Sequence, residues 1–489
     1  MKYQLTSTLT VGMALALSSQ MAVAENWVGQ ECYDYRPSTP YVATNSGSVE
    51  TEELVEAYIP CISQTGYGST EPTLAITRDG TIFYSPAFTN DGVGLIVSHD
   101  DGVTWDMQIP RFPDGEDHSR VQSFMYMDPE TERLFYHSSK TQIFPPKFED
   151  GFNMTWSEDK GETWNYTDIE SNGFDWAKVY AGNPVTSETD GYPNVLYMSS
   201  PTPISTPAWL TWPKSQEVLK SIDGGQSWEL TGSISLSVGE YNCPISEWVI
   251  MGNGVVAPNG DVFIGFRRCN QFSVAKSVNE GADWTVIDVP GGELIDYYFI
   301  TQVGLSNANY VIGEPVAMDE EGNLYVLWPD LDDLPRMSVS RDGGETWSEP
   351  VVVSAPDVKR IQYASIEVNE PGQVGVAYYG TTSGYGIGYD GFMAMTENAF
   401  AEQPIFTGST ANELEEPLYP YGFNPGYLAM FFGGDLNEII QVQFSPSGDM
   451  FASFNKAMCV NQFGMFCKWD LDENAGSVYQ GVLGRLKKM

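Results

Sequence analysis

An eight-residue phrase returns five times along this chain, and few architectures accommodate that. It reads Ser98-His-Asp-Asp-Gly-Val-Thr-Trp105, Ser157-Glu-Asp-Lys-Gly-Glu-Thr-Trp164, Ser221-Ile-Asp-Gly-Gly-Gln-Ser-Trp228, Ser277-Val-Asn-Glu-Gly-Ala-Asp-Trp284 and Ser340-Arg-Asp-Gly-Gly-Glu-Thr-Trp347. Its pattern, Ser-x-Asp-x-Gly-x-Thr-Trp, is that of a hairpin turn. Ser and Asp side chains bond nearby amides, Gly supplies positive φ, and Trp packs back between sheets. Successive copies start 59, 64, 56 and 63 residues apart, a length that suits a four-stranded sheet with loops. Ahead of each copy lies a strand, a turn and a second strand, as in Leu74-Ala-Ile-Thr-Arg-Asp-Gly-Thr-Ile-Phe-Tyr84 and Val255-Val-Ala-Pro-Asn-Gly-Asp-Val-Phe-Ile-Gly-Phe266.

Similar hairpins turn at Asp128-Pro129, Asp190-Gly191, Glu321-Gly322, Pro371-Gly372 and Ser447-Gly448, which brings the count to seven. Two of them lack a full phrase, and Thr396-Glu-Asn-Ala-Phe400 reads as a decayed one. A lone four-stranded sheet cannot bury both faces, whereas a closed ring of such sheets buries the faces between neighbours. The chain is therefore expected to be all-β, a single seven-bladed β-propeller over residues 25–489, with six blades as the alternative. The 48 Gly, 30 Pro, 13 Trp and 27 Tyr agree with many short strands and tight turns. The repeated phrases resemble the Asp boxes (BNR repeats) of the sialidase-like β-propeller superfamily, and the resemblance covers nearly all of residues 25–489. It implies the fold and leaves the function open, since non-catalytic propellers carry the same boxes.

With 65 acidic against 24 basic residues the formal net charge is −41, which repels polyanions at long range and argues against nucleic-acid or anionic-membrane partners. Residues 1–24 read as an export signal: Lys2, an apolar stretch around Leu9 to Leu17, and Ala22-Val23-Ala24 as a cleavage site. A secreted or periplasmic protein follows as the expectation. A closed ring needs no partner for stability, so a monomer is expected. Six cysteines in an exported chain allow fifteen pairings, and closeness in sequence suggests Cys32 with Cys61, Cys243 with Cys269 and Cys459 with Cys467. No Cys-x-x-Cys occurs and His99, His118 and His137 stand far from every cysteine, so no metal or other cofactor is expected. The run Asp330, Asp332, Asp333 offers oxygens for a structural calcium or, as the plainer reading, forms a solvated turn.

In an up-and-down blade, residues just before the first strand and just after the second meet on one rim, where loop-borne function belongs. That rule gathers Asp117, His118 and Arg120, then His137 and Lys140, Arg267 and Arg268, Asp330, and finally Lys359, Arg360 and Tyr363. A positive well in an acidic surface suits a carboxylate or sulfate on a ligand. His99 sits inside a box and reads as a solvated turn residue. His118 and His137 flank one hairpin and so share one end of two paired strands. Arg267 and Arg268, as strand neighbours, must face opposite sides.

Three functions compete. A polysaccharide lyase acting on an anionic, uronic-acid-containing polymer needs a base, an acid and a cation for the carboxylate. His118 or His137 would be the base, Tyr241 the acid, and Arg267 or Arg268 the clamp, with Arg120, Arg360 and Tyr363 as further substrate contacts. Here the chain resembles the ulvan lyases built on seven-bladed propellers, which carry two histidines at similar spacing. The resemblance also implies an arginine on the third blade, where this sequence has no Arg between Arg133 and Arg267 and offers only Lys214 or Lys220. A sialidase-like exo-glycosidase would use three arginines and a tyrosine activated by a glutamate, as Gln362-Tyr-Ala-Ser-Ile-Glu367 suggests in part, yet no Arg-Ile-Pro precedes the first box. The third reading is a non-catalytic propeller that binds a glycan or a protein on the same rim.

Overall fold

The structure is a computed structural model that describes residues 29–33, 38–53, 55–69, 71–85, 94–108, 110, 123–140, 151–173, 177–202, 215–235, 251–268, 270–294, 314–384, 387–413, 415–420, 440–457 and 479–489. Seven antiparallel sheets stand around one axis. Blade 1 comprises Thr73–Ile76, Ile82–Ser85, Leu95–Ser98 and Asp106–Gln108, and blade 2 comprises Ser123–Met127, Leu134–Ser139, Phe152–Ser157 and Asn165–Ile169. Blade 3 runs Lys178–Gly182, Val195–Thr202, Ser215–Ser221 and Glu229–Ser235, and blade 4 runs Met251–Val256, Val262–Arg268, Gln271–Ser277 and Thr285–Glu293. Blade 5 contains Val316–Met318, Leu324–Pro329, Pro335–Ser340 and the short Val351–Val352. Blade 6 contains Arg360–Glu370, Gln373–Thr381, Asp390–Thr396 and Ile405–Thr410, extended outward by the N-terminal hairpin Thr39–Thr44 and Gly47–Glu50. Blade 7 is shared by both ends of the chain: Val442–Phe444, Met450–Ala457 and Tyr479–Lys488 are completed by Tyr58–Gly68 and then Gly29–Cys32. The ring is a seven-bladed β-propeller.

Each blade is apolar on both faces, which is why its second strand reads as an almost unbroken apolar run instead of an alternating one. Phe263 packs toward blade 5 while its neighbour Ile264 packs toward blade 3. Tyr378 and Tyr379 divide in the same way between blades 5 and 7. Seven such clusters, one per blade interface, form the core.

The five boxes are the turns from third to fourth strand, all at one rim. In each, the Ser hydroxyl donates to the Asp or Asn side chain at 2.8–3.0 Å and accepts the Gly amide at 2.7–2.9 Å. The amide before the Trp donates back to the Asp or Asn at 2.8–2.9 Å. The box glycines have φ between +82° and +94°, so they must lack a side chain. In four boxes the Trp indole donates to the Gly carbonyl. The decayed phrase keeps the same frame, with Thr396 donating to Asn398 and Ile405 N donating to Asn398 Oδ1.

Cys32 and Cys61 face each other in register on adjacent strands of the closing blade and form a disulfide, as the sequence suggested. Cys243, Cys269, Cys459 and Cys467 lie outside the described residues, as does the 1–24 leader. The Cys32–Cys61 bond closes a loop of 29 residues. Replacing both cysteines by Ser should cost about 3–4 kcal/mol, read as a lower urea midpoint, by releasing the unfolded chain from that loop. An unchanged midpoint would show that the strand pairing alone holds this edge.

Candidate functional site

The rim opposite the boxes is where first strands begin and second strands end, and the longer connections between described strands leave from it. Several expected cations stand at this level but turn away from the axis. Lys140 reaches Asp168 on the fourth strand of blade 2 at 3.4 Å. Arg268 does likewise in blade 4, meeting Asp288 at 2.5 and 2.6 Å. Arg267, facing the other way as strand alternation requires, is buried and donates to Asn270 at 3.2 Å. Arg360 grips Asp333 at 2.9 and 3.0 Å. Asp330 accepts the amides of Asp332 and Leu334 and the Arg336 guanidinium at 2.6 Å. The acidic run is thus a turn whose carboxylates hold amides and arginines, and among the described residues no group of three or more His, Cys, Asp or Glu is placed to hold a metal ion. His99 is exposed and meets Thr81 Oγ1 at 3.3 Å.

Tyr363 is buried at φ +44°, on a bulge between Gln362 and Ala364. Glu367 lies four residues further along the same strand, roughly 13 Å away at the usual strand rise, too far to activate it as a nucleophile. His118, Arg120 and Tyr241 lie outside the described residues, as does Lys214. Lys220 belongs to the box rim, tied to Ser187 at 3.2 Å and to Glu280 at 3.5 Å.

What the fold gathers at the axis is a group that sequence reasoning passed over. Lys178 opens the first strand of blade 3, its ammonium lying over the Phe124 ring of blade 2 at 4.6 Å from the centroid. Among the described residues it has no carboxylate within ion-pair distance, and it is buried. Glu71, Glu314 and Gln441 precede the first strands of blades 1, 5 and 7, and Glu367 rises from that of blade 6. Burial lowers the Lys178 pKa, while Glu314 and Glu71 act to raise it. Burial holds the Glu314 carboxyl up to about 8, with the help of Glu367 and against the pull of Lys178 and of hydrogen bonds from the Gln441 and Ser365 side chains, and burial lifts Glu367 itself to about 7. The sequence signal was present but thin: single charged or amide residues at the heads of otherwise apolar inner strands.

His137 sits beside this group, packed edge-on against Phe124 and Phe152 and almost fully buried, with Nδ1 unpartnered among the described residues. Burial first, and then the Lys178 charge, depress its pKa to about 3, so the imidazole is neutral at neutral pH. A base whose folded pKa falls below its unfolded value stabilises the fold above the unfolded value and loses that contribution as pH drops toward the folded one. Relative to His137→Phe, the wild type should therefore lose up to about 2 kcal/mol between pH 6.5 and pH 5, read from urea midpoints at the two pH values. A constant difference would mean the ring charges freely where it stands.

No protein-family model and no curated protein matches the chain. Similar solved structures include the NanB sialidase of Streptococcus pneumoniae, 10% identical with a TM-score of 0.44 and covering 94% of each chain. They also include the intramolecular trans-sialidase of Ruminococcus gnavus, 13% identical with a TM-score of 0.40 over 87% of this chain and 95% of that one. A third is the Aleuria aurantia lectin, 8% identical with a TM-score of 0.42 over 70% and 95%. These are likenesses of chain path, and no residue role crosses from them.

Proposed function

We propose that this protein is an exported carbohydrate-active enzyme, a polysaccharide lyase that takes a uronic-acid-containing anionic polymer at the axial mouth of the loop rim and cleaves it by β-elimination. The observation that supports this most is Lys178, an axial cation on the third blade with no carboxylate in ion-pair contact among the described residues, beside a neutral imidazole. A cation there neutralises the sugar carboxylate, which acidifies the proton on the adjacent carbon. A base removes that proton, its electron pair becomes the new carbon–carbon double bond, the neighbouring carbon–oxygen bond breaks, and an acid protonates the leaving oxygen. His118 or His137 as base and Tyr241 as acid are the sequence's candidates for the two proton transfers. The Cys32–Cys61 disulfide agrees with export to an oxidising compartment.

The glycosidase reading loses support from the separation of Tyr363 and Glu367. The test is to incubate the protein with uronic-acid polymers and follow the ultraviolet absorbance of the conjugated unsaturated product together with reducing ends. Both should rise. Reducing ends without the absorbance would make the protein a hydrolase, and retention of the polymer with neither signal would make it a binding module.

A further inference from the structure

Glu314 is held in an unusual way. Gln441 accepts the Leu74 amide of blade 1 through Oε1 at 2.5 Å, which fixes the orientation of its side-chain amide. Its Nε2 must then point at blade 5, where it donates to Glu314 Oε1 at 2.7 Å. The main chain is pinned as well, since Ile366 N of blade 6 donates to the Glu314 carbonyl at 3.0 Å. One carboxyl oxygen is therefore occupied by a bond linking blades 1, 7 and 5, while Oε2 is buried without a well-formed hydrogen bond among the described residues, its nearest polar influence besides Gln441 being the Ser365 hydroxyl of blade 6. A buried unsatisfied oxygen is costly and calls for an explanation. Lys178 feels this carboxyl electrostatically, yet no nitrogen–oxygen contact between them falls within 4.0 Å.

We propose that Glu314, positioned by Gln441, is a neutral carboxylic acid whose Oε2 hydroxyl donates to the ligand carboxylate held at Lys178, so that this anion enters only the protonated form of the protein. The inference rests on the reading that an anionic sugar binds at Lys178, and it adds a proton requirement to that site. The charged groups facing Glu314 are Lys178 from blade 3 and Glu367 from blade 6, with Glu71 of blade 1 beyond, acting on Lys178. Glu367 disfavours a second negative charge next to it, and an arriving carboxylate does so further, so the bound anion strengthens the hold on the Glu314 proton. Once Glu314 ionises, near its folded value of about 8, two carboxylates compete for one lysine.

The probe is a glucuronate oligosaccharide, titrated calorimetrically between pH 6.5 and pH 9.5 in buffers of different ionisation enthalpy. Wild-type affinity should fall roughly tenfold per pH unit above about pH 8, with proton uptake on binding there, since each ligand requires one proton. Glu314→Gln, which keeps a donor, should lose the fall and proton uptake that begin near pH 8 and retain only what titration of the Lys178 ammonium contributes, and Gln441→Leu should weaken binding while retaining the wild-type pH dependence. Flat wild-type affinity with no proton uptake overturns the proposal and leaves anion binding intact. Proton-linked binding of the oligosaccharide without cleavage of any polymer would uphold the proposal and sink the lyase reading. Failure of the wild type to bind the probe at any pH would sink both.

Discussion

If the proposed lyase activity holds, Lys178→Met should cut cleavage of a uronate polymer severely while the propeller stays folded. Methionine keeps most of the length of the side chain and its packing against Phe124 but carries no charge, so a sugar carboxylate at this buried position would stand beside acidic neighbours with nothing to neutralise it. Losing one partner of a desolvated charge pair is worth several kcal/mol, so kcat/KM should drop by about a thousandfold. Lys178→Arg, keeping the charge with a different head group, should recover part of it. Thermal melting separates this from a structural role: burial already opposes the ammonium, so removing it should leave the melting temperature at or above that of the wild type. Full activity in Lys178→Met would end the assignment of this residue.

The largest effect on stability is expected at the seam where the ring closes. Asp449, in the turn between the first two strands of blade 7, accepts Arg485 Nε at 3.0 Å and its terminal nitrogen at 2.6 Å, and also the Lys488 amide at 2.9 Å. Both side chains are more than nine-tenths buried. Arg485 in addition reaches Asp101 of the first box at 3.0 Å and covers the Phe451 ring, so one guanidinium ties the last blade to the first. Asp449→Ala would leave that buried cation with only the exposed Asp101, at a cost of about 3–5 kcal/mol. Chemical denaturation should register it as a lower midpoint. A loss below about 1 kcal/mol would mean that Asp101 alone suffices, making the seam an ordinary surface pair.

The architecture was legible because its signals are local. A box needs only a Ser, an Asp or Asn, a Gly and a Trp at fixed offsets, and each of the seven hairpins announces its own turn. Even the decayed phrase at Thr396 kept the frame. The cations were harder to read. Sequence places Lys140, Arg268 and Arg360 at the right height, but height along a strand says nothing about the partner across the face. In each case a carboxylate within the same blade or the neighbouring one captured the charge and turned it from the axis. Tyr363 and Glu367 illustrate the same limit, since four positions apart is close in sequence and distant along an extended strand.

Alone, the order of residues settled that this chain makes repeated four-stranded units with apolar faces on both sides, because turn chemistry and side-chain periodicity act over a few neighbours. It also settled that units of that kind must stack in a ring to hide those faces. Which polar groups meet at the axis was a matter for the closed ring. Lys178, Glu314, Gln441 and Glu367 come from four different blades and are separated by up to 263 residues. Their burial, their mutual fields and the protonation state of Glu314 exist only once the seven sheets have closed around a common centre.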